Sequence, residues 1–324
     1  MSKFPGGSAA LEPTRMARAP RALRPGGKIA LVSPSSPAEP PRLQAGIAEL
    51  EALGFRVTAP ASSSGQGYFA SSVEQRSRDF GTAVVDPEVA GVIAVRGGYG
   101  SNYVLDHLPV TAKTTPVCLV GYSDLTYVQV FLWERFGWRS FYGPMVAAGF
   151  DKGAGKSGGY DKGSFLRAVG EARQGWELEL QGEALSKGSA EGLILGGCLT
   201  MVQTTIGTPW QLNARDALLI LEDRGMKPWQ VDRALMHLLQ AGVFAGVRGV
   251  ILGDFPECAP PVPNSWNVAD VCRRLLAPLG LPVLWGAPVG HTERPMLTLP
   301  LGVRARLRAE GAGRLEIMEA AVTE

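Results

Sequence analysis

Short, continuously apolar runs recur along this chain, separated by segments with helical spacing, and no other feature constrains its fold as strongly. The runs Lys28 to Val32, Gly91 to Val95 and Pro116 to Val120 lie in the first half. Gly192 to Leu195, Ala217 to Leu221, Val247 to Leu252 and Pro282 to Trp285 lie in the second. A strand that is apolar at successive positions is buried on both faces, as in a parallel sheet covered by helices. Between the runs, Pro41 to Leu53 and Leu125 to Phe136 have helical spacing. Ser71 followed by Glu74 has the form of a capping box opening a helix that reaches about Val85, and Val231, Leu235, Leu238 and Leu239 share one face of a helix over Pro228 to Gln240. Strands alternating with helices predict an α/β fold. At 324 residues the chain is long enough for two compact domains.

The organisation expected is a disordered tail over 1–27, a parallel-sheet domain over 28–150, a linker and domain junction over 151–190, and a C-terminal α/β domain with mixed strands over 191–324. Asp151 to Ser164 reads DKGAGKSGGYDKGS, without periodicity, and is expected to be exposed. Its Gly155-Lys156-Ser157 resembles the end of a phosphate-binding loop. That motif needs a glycine five positions before Gly155, and Phe150 stands there, so a nucleotide-binding reading fails.

Charge narrows the partner. With 32 Lys plus Arg against 30 Asp plus Glu, the formal net charge is +2, which gives no long-range field for nucleic acid or an anionic membrane. A small molecule is the expected partner. Cys118, Cys198, Cys258 and Cys272 form no CxxC pair, and the apolar surroundings of three of them fit reduced thiols. The N-terminal stretch has no apolar core of a secretory signal, and no apolar run reaches the roughly 18 residues that span a bilayer. A cytoplasmic location is expected.

Three positions after strands could carry chemistry. Gly121-Tyr122-Ser123-Asp124 joins a buried run to a helix, so Ser123 can project at the carboxyl edge of the sheet like a nucleophile elbow. The second glycine of that motif is absent, and Ser123 or Asp124 could equally be a helix cap. Glu222 ends the run Ala217 to Leu221 and could orient a histidine, or form a surface ion pair with Arg224 or Arg233; the adjacent Asp223 is a rival for the same role. Of three histidines, His237 lies within a helix, and His107 near a helix end. His291 stands in the polar loop Pro288 to Glu293 just after a strand, where catalytic groups are often carried, although a solvent-facing side chain is the alternative. The turn Gly97-Gly98-Tyr99-Gly100 lets bare backbone amides approach a ligand, and one of these together with the Asp124 amide would make an oxyanion hole.

Together these segments resemble the LD-carboxypeptidase family of serine peptidases, which includes muramoyl-tetrapeptide carboxypeptidases and microcin immunity proteins. The resemblance runs from about Gly27 to Ile317 through GKIALVSPSSP, DPEVAGVIAVRGGYGS, LVGYSDLT, GTPW, LILEDRG, VDRAL, GVILGDF and GHTERPMLTLPLG. It implies a Ser–His–Glu triad of Ser123, His291 and Glu222, with oxyanion donors from Gly98 and Asp124. It also implies two α/β domains, the first supplying the nucleophile and the second Glu222 and His291, and a homodimer acting on muropeptides. With no H-E-x-x-H, no cysteine cluster and three scattered histidines, neither metal nor cofactor is expected. Arg96, beside the glycine turn, is a candidate partner for the carboxylate of a terminal D-alanine. One departure stands out: Cys198 occupies the asparagine position of the family's GGNL. Two other readings stay open, namely hydrolysis of aminoacyl-nucleotide antibiotics of the microcin type and a non-catalytic small-ligand module.

Overall fold

The computed structural model describes residues 16–59, 65 and 67–324. Strands β1 (Lys28–Val32), β2 (Arg56–Thr58), β3 (Val89–Ala94), β4 (Cys118–Gly121) and β5 (Ser140–Tyr142) form a parallel sheet in the spatial order β2-β1-β3-β4-β5. Helices α1 (Pro40–Ala52), α2 (Val73–Val85) and α3 (Thr126–Phe136) connect these strands. All four residues of β4 are buried, as expected of a central strand covered on both faces. The order reverses between β1 and β3, and a reversal of this kind opens a crevice at the carboxyl ends of the strands. The loops after β1, β3 and β4 meet there.

The second half continues with α4 (Lys162–Gly170), β6 (Trp176–Glu179), β7 (Glu183–Ser186), β8 (Gly188–Cys198), α5 (Leu199–Thr204), β9 (Ala217–Glu222), α6 (Pro228–Gln240), β10 (Gly249–Leu252), α7 (Val268–Leu276) and β11 (Val283–Trp285). Three short strands close it: β12 (Leu299–Leu301), β13 (Arg304–Ala309) and β14 (Arg314–Ile317). Eight strands form a mixed sheet, β6-β14-β13-β8-β9-β10-β11-β7, parallel from β8 to β11 and antiparallel elsewhere. Glu222 ends β9, and His291 follows β11, so both leave the carboxyl side of this parallel core. No described helix is long and apolar enough to cross a membrane.

The molecule departs from the expected organisation in four places. Of the supposed tail, residues 1–15 lie outside the described residues. From Arg18 onward the chain is packed: Leu23 is buried, its amide bonds the Val169 carbonyl, and the Ala22 amide bonds that of Thr323. A single leucine inserted beneath Gly91 fixes this segment, a contact that proline-rich composition does not reveal. The supposed linker is also built in, because Tyr160 is fully buried in a cluster with Phe150 and Phe165 while β6 and β7 join the second sheet. Its aromatic anchors are too widely spaced to give a periodic signal. The C-terminal segment is not confined to one unit, since β12 pairs antiparallel with β5 through Leu299 and Tyr142 and completes the first sheet. Finally, the cap of α2 is Ser72, whose hydroxyl accepts from the Gln75 amide, one residue later than Ser71.

Candidate active site

Ser123 occupies the turn between β4 and the short 3-10 segment Ser123–Leu125 that leads into α3, and its φ is +62°. A non-glycine residue in that region is strained, and such strain persists only where surrounding contacts impose it. Asp124 supplies those contacts. Its side chain is buried and accepts from Ser35 Oγ at 2.5 Å and the Ser101 amide at 2.7 Å, while Ser101 Oγ donates to the Asp124 carbonyl at 2.5 Å. The turn is thereby tied to the loops that follow β1 and β3. Burial pushes the Asp124 carboxyl above its ordinary pKa, partly countered by the Ser35 and Ser101 bonds.

Gly97 lies directly against the serine. A Cβ there would sit 2.7 Å from Ser123 Oγ and 3.4 Å from the Asp124 amide nitrogen. Only glycine admits this approach, so Gly97→Ala must displace the hydroxyl. A displacement of that kind commonly costs about 100-fold in rate. Kinetics of Gly97→Ala should show the loss in kcat with little change in KM, and an unchanged kcat would remove the serine from the chemistry.

Glu222 is fully buried at the end of β9. Its Oε2 lies 2.8 Å from both the amide nitrogen and Nδ1 of His291, and Tyr142 Oη donates to its Oε1 at 2.5 Å. Gly290, at φ +64°, makes the bend possible, for a Cβ there would fall 2.3 Å from the Glu222 carboxyl carbon. Tyr142 Oη also accepts from the Ser123 amide at 3.4 Å, so one phenol links the two halves of the site. The Tyr122 ring stands edge-on to the His291 imidazole, 5.0 Å between centroids. Burial raises the Glu222 pKa, but the charge and hydrogen bonds of His291 and the Tyr142 bond outweigh it and hold the carboxyl below its ordinary value. Burial likewise lowers the His291 pKa, and the Glu222 carboxylate more than offsets this, leaving it raised.

Asp223, the sequence rival of Glu222, turns elsewhere. Its carboxylate accepts from the amide and hydroxyl of Thr200 at 2.9 and 2.7 Å and from the Arg224 amide at 2.8 Å. Cys198 is buried with its thiol 3.5 Å from Asp223 Oδ2, and burial drives its pKa well up. His237 lies on α6 against Gln203, and His107 ends a 3-10 turn bordering a separate groove with Glu74.

Ser123 and His291 both line one cavity of about 470 Å³, with Arg96, Gly97, Gly98 and Tyr122 on the same wall system. No hydrogen bond joins Ser123 Oγ to the imidazole among the described residues, a spacing that catalytic pairs commonly close only when substrate binds. Asp124 does not line the cavity; of that residue only the amide, next to Gly97, is near it. Arg96 lines it and donates through Nη1 to the Pro37 carbonyl at 3.1 Å. Among the described residues no group of three or more His, Cys, Asp or Glu side chains is placed to hold a metal ion.

Several parts of the site were not assigned a role from the sequence, although two of the segments concerned, GVILGDF and GHTERPMLTLPLG, carry the family resemblance. Tyr142 sits in a short apolar strand and looks like core. Asp254 of the GDF segment and Thr292 and Arg294 of the GHTER segment form a clamp beneath the His291 loop. Thr292 Oγ1 donates to Asp254 Oδ2, and Arg294 reaches both carboxylate oxygens, Oδ1 through Nη2 at 2.5 Å and Oδ2 through Nε at 3.2 Å.

Comparison with known proteins agrees with this architecture. The LD-carboxypeptidase N-terminal domain matches residues 29–143, and the LD-carboxypeptidase C-terminal domain matches residues 191–307. A putative carboxypeptidase of Streptomyces coelicolor is 36% identical over 90% of this chain and 93% of its own. A probable murein peptide carboxypeptidase of Bacillus subtilis is 29% identical over 94% and 95%. The crystal structure of a muramoyltetrapeptide carboxypeptidase from Oxalobacter formigenes superimposes with a TM-score of 0.80 at 29% identity, covering 91% of this chain and all of the other. A Microcin C7 self immunity protein shares the fold, with a TM-score of 0.84 at 23% identity over 94% of this chain and 99% of its own.

Proposed function

This chain belongs to the LD-carboxypeptidase family, and from that membership we propose that it is a serine carboxypeptidase that releases terminal D-alanine from peptidoglycan tetrapeptides. The observation that carries the reading is the buried Glu222 bonded to His291 at the rim of the cavity that Ser123 also lines. His291 accepts the Ser123 proton, and Ser123 attacks the carbonyl of the L,D-peptide bond. Glu222 holds Nδ1, leaving Nε2 for this transfer. Amides of Gly98 and Asp124 stabilise the tetrahedral oxyanion, and Arg96 meets the terminal carboxylate. The C–N bond then breaks as His291 returns the proton to the departing amine, and water hydrolyses the acyl-enzyme by the same acid–base exchange.

The test is a mass-spectrometric assay over a panel of muropeptides, in which tetrapeptides should become tripeptides with release of D-alanine. No release, together with cleavage of an aminoacyl-sulfamoyl nucleoside, would favour the antibiotic-detoxifying alternative. Ligand binding without labelling by a fluorophosphonate would favour a non-catalytic module. The family also suggests a homodimer in the cytoplasm; light scattering should then give about twice the 34.4 kDa chain mass.

The pH dependence follows from the His291 environment. The base must be neutral, and its pKa is raised above 6.5, so kcat/KM should climb with pH through a midpoint above that value. A midpoint below 6.5 would contradict the pairing. The same shift makes the contribution of His291 titration to stability complete below pH 6.5, where Glu222 is still ionised, and progressively lost as pH rises through the raised folded-state value.

A further inference from the structure

The Asp124 carboxylate that ties down the nucleophile turn is buried without a counter-ion in contact. It takes both of its side-chain donors, Ser35 Oγ and the Ser101 amide, on Oδ2, and Oδ1 has no partner among the described residues. A buried cation lies behind the same loops. Arg76 of α2 is 2% exposed and, among the described residues, touches no carboxylate either. Its Nε donates to the Ser71 carbonyl at 3.1 Å, and its Nη1 to two further carbonyls, that of Gly100 at 2.8 Å and that of Pro34. The guanidinium also lies over the Phe69 ring, 4.6 Å from its centroid, and Nη2 is buried without a partner. Burial draws the Arg76 pKa down and the Asp124 charge counters it, while a guanidinium stays protonated throughout.

Both carbonyls lead directly to Asp124. The Gly100 carbonyl belongs to the same peptide unit as the Ser101 amide, which donates to Asp124 at 2.7 Å. That unit therefore turns its negative end to Arg76 and its positive end to Asp124, an alignment that favours both buried charges. Pro34 precedes Ser35, whose hydroxyl donates to Asp124 at 2.5 Å. The loops so bridged are the ones that surround the serine. Between them, the Ser36 amide donates to the Gly97 carbonyl at 3.3 Å and Ser36 Oγ accepts from the Tyr99 amide at 3.2 Å, on either side of Gly98. We propose that Arg76 is a positioning residue of the hydrolase site: it forms with Asp124 an ion pair bridged by Gly100–Ser101 and by Pro34 and Ser35, and this pair holds the Ser123 turn and the Gly97–Gly100 turn in the relative geometry that receives the oxyanion.

The role rests on the part of the proposed function that makes Ser123 the nucleophile, so the first readout is the rate at which a fluorophosphonate labels the full-length protein, which needs oxyanion donors but no peptide. Arg76→Lys keeps the charge but cannot span two carbonyls, and it should be labelled about tenfold more slowly; Arg76→Gln has neither charge nor reach and should be slowed about a hundredfold. With the tetrapeptide, kcat should fall by the same factors while KM stays within about twofold. Arg76→Gln strips two buried carbonyls of their donor and should also melt lower, so the coupling is read in milder variants. Ser35→Ala removes one bridge without touching Arg76. Because the bridged pair acts as one unit, Ser35→Ala combined with Arg76→Lys should lose clearly less than the product of the two single losses. Wild-type labelling in Arg76→Lys, a loss confined to KM, or losses that multiply would make Arg76 a packing residue and overturn the proposal. Label uptake by the wild-type protein without D-alanine release sinks the carboxypeptidase reading alone. Absence of both removes the nucleophile, and the positioning role with it.

Discussion

Ser123→Ala should abolish D-alanine release, lowering kcat on the order of 10^6-fold, because the residual rate then rests on binding and oxyanion donors alone. The fold should survive. Alanine accepts the φ of +62° no better and no worse than serine, and the ties that hold the turn belong to Asp124, Ser35 and Ser101. Thermal melting within a few degrees of wild type, fluorophosphonate labelling lost and substrate binding retained is the expected combination. Persistent turnover at even a hundredth of the wild-type rate would remove Ser123 from the role of nucleophile.

Glu222→Gln should cost about 10^4-fold in kcat, by leaving His291 without the acceptor that fixes its tautomer and stabilises its cationic form. The variant keeps the volume and can keep a bond to Tyr142, so the loss reports charge and proton placement. A second measurement separates this from a packing defect. Removing the carboxylate takes away the group that raises the His291 pKa, so burial then dominates and the residual pH profile should shift to lower pH. Proton NMR of the imidazole would check the shift directly. A profile unmoved from wild type would mean that Glu222 serves only as a buried structural anchor. In the variant the acid limb of stability should also flatten: the carboxylate's contribution, present above pH 4.5 and lost as pH falls through its depressed folded value, disappears.

Much of this molecule is legible in one dimension. Continuous apolar runs mark β4, β9 and β10 because strands covered on both faces need no polar alternation, and the residues just past such runs fall at the carboxyl edge where the chain must turn. Ser123, Glu222 and His291 are all found by that rule. Within a run of two acids the rule is blind. Glu222 and Asp223 have the same charge and adjacent positions, and only the backbone direction at the end of β9 sends one to His291 and the other to Thr200. Tyr142 was invisible for another reason: its ring is ordinary core, and its function lies in one oxygen placed between Glu222 and the Ser123 amide.

The sequence by itself determined the α/β alternation, the strand-end positions of the candidate catalytic groups and the family, since each is written in local order. The tertiary structure alone decided that Leu23 and Tyr160 are buried within stretches that read as tail and linker, that β12 crosses into the first sheet, and that Arg96 and His291 line one cavity with Ser123. The physical reason is common to all three. A buried leucine, a pair of mated strands or a charge facing a cavity is specified by a partner dozens to hundreds of residues away, and no spacing within a local window encodes it.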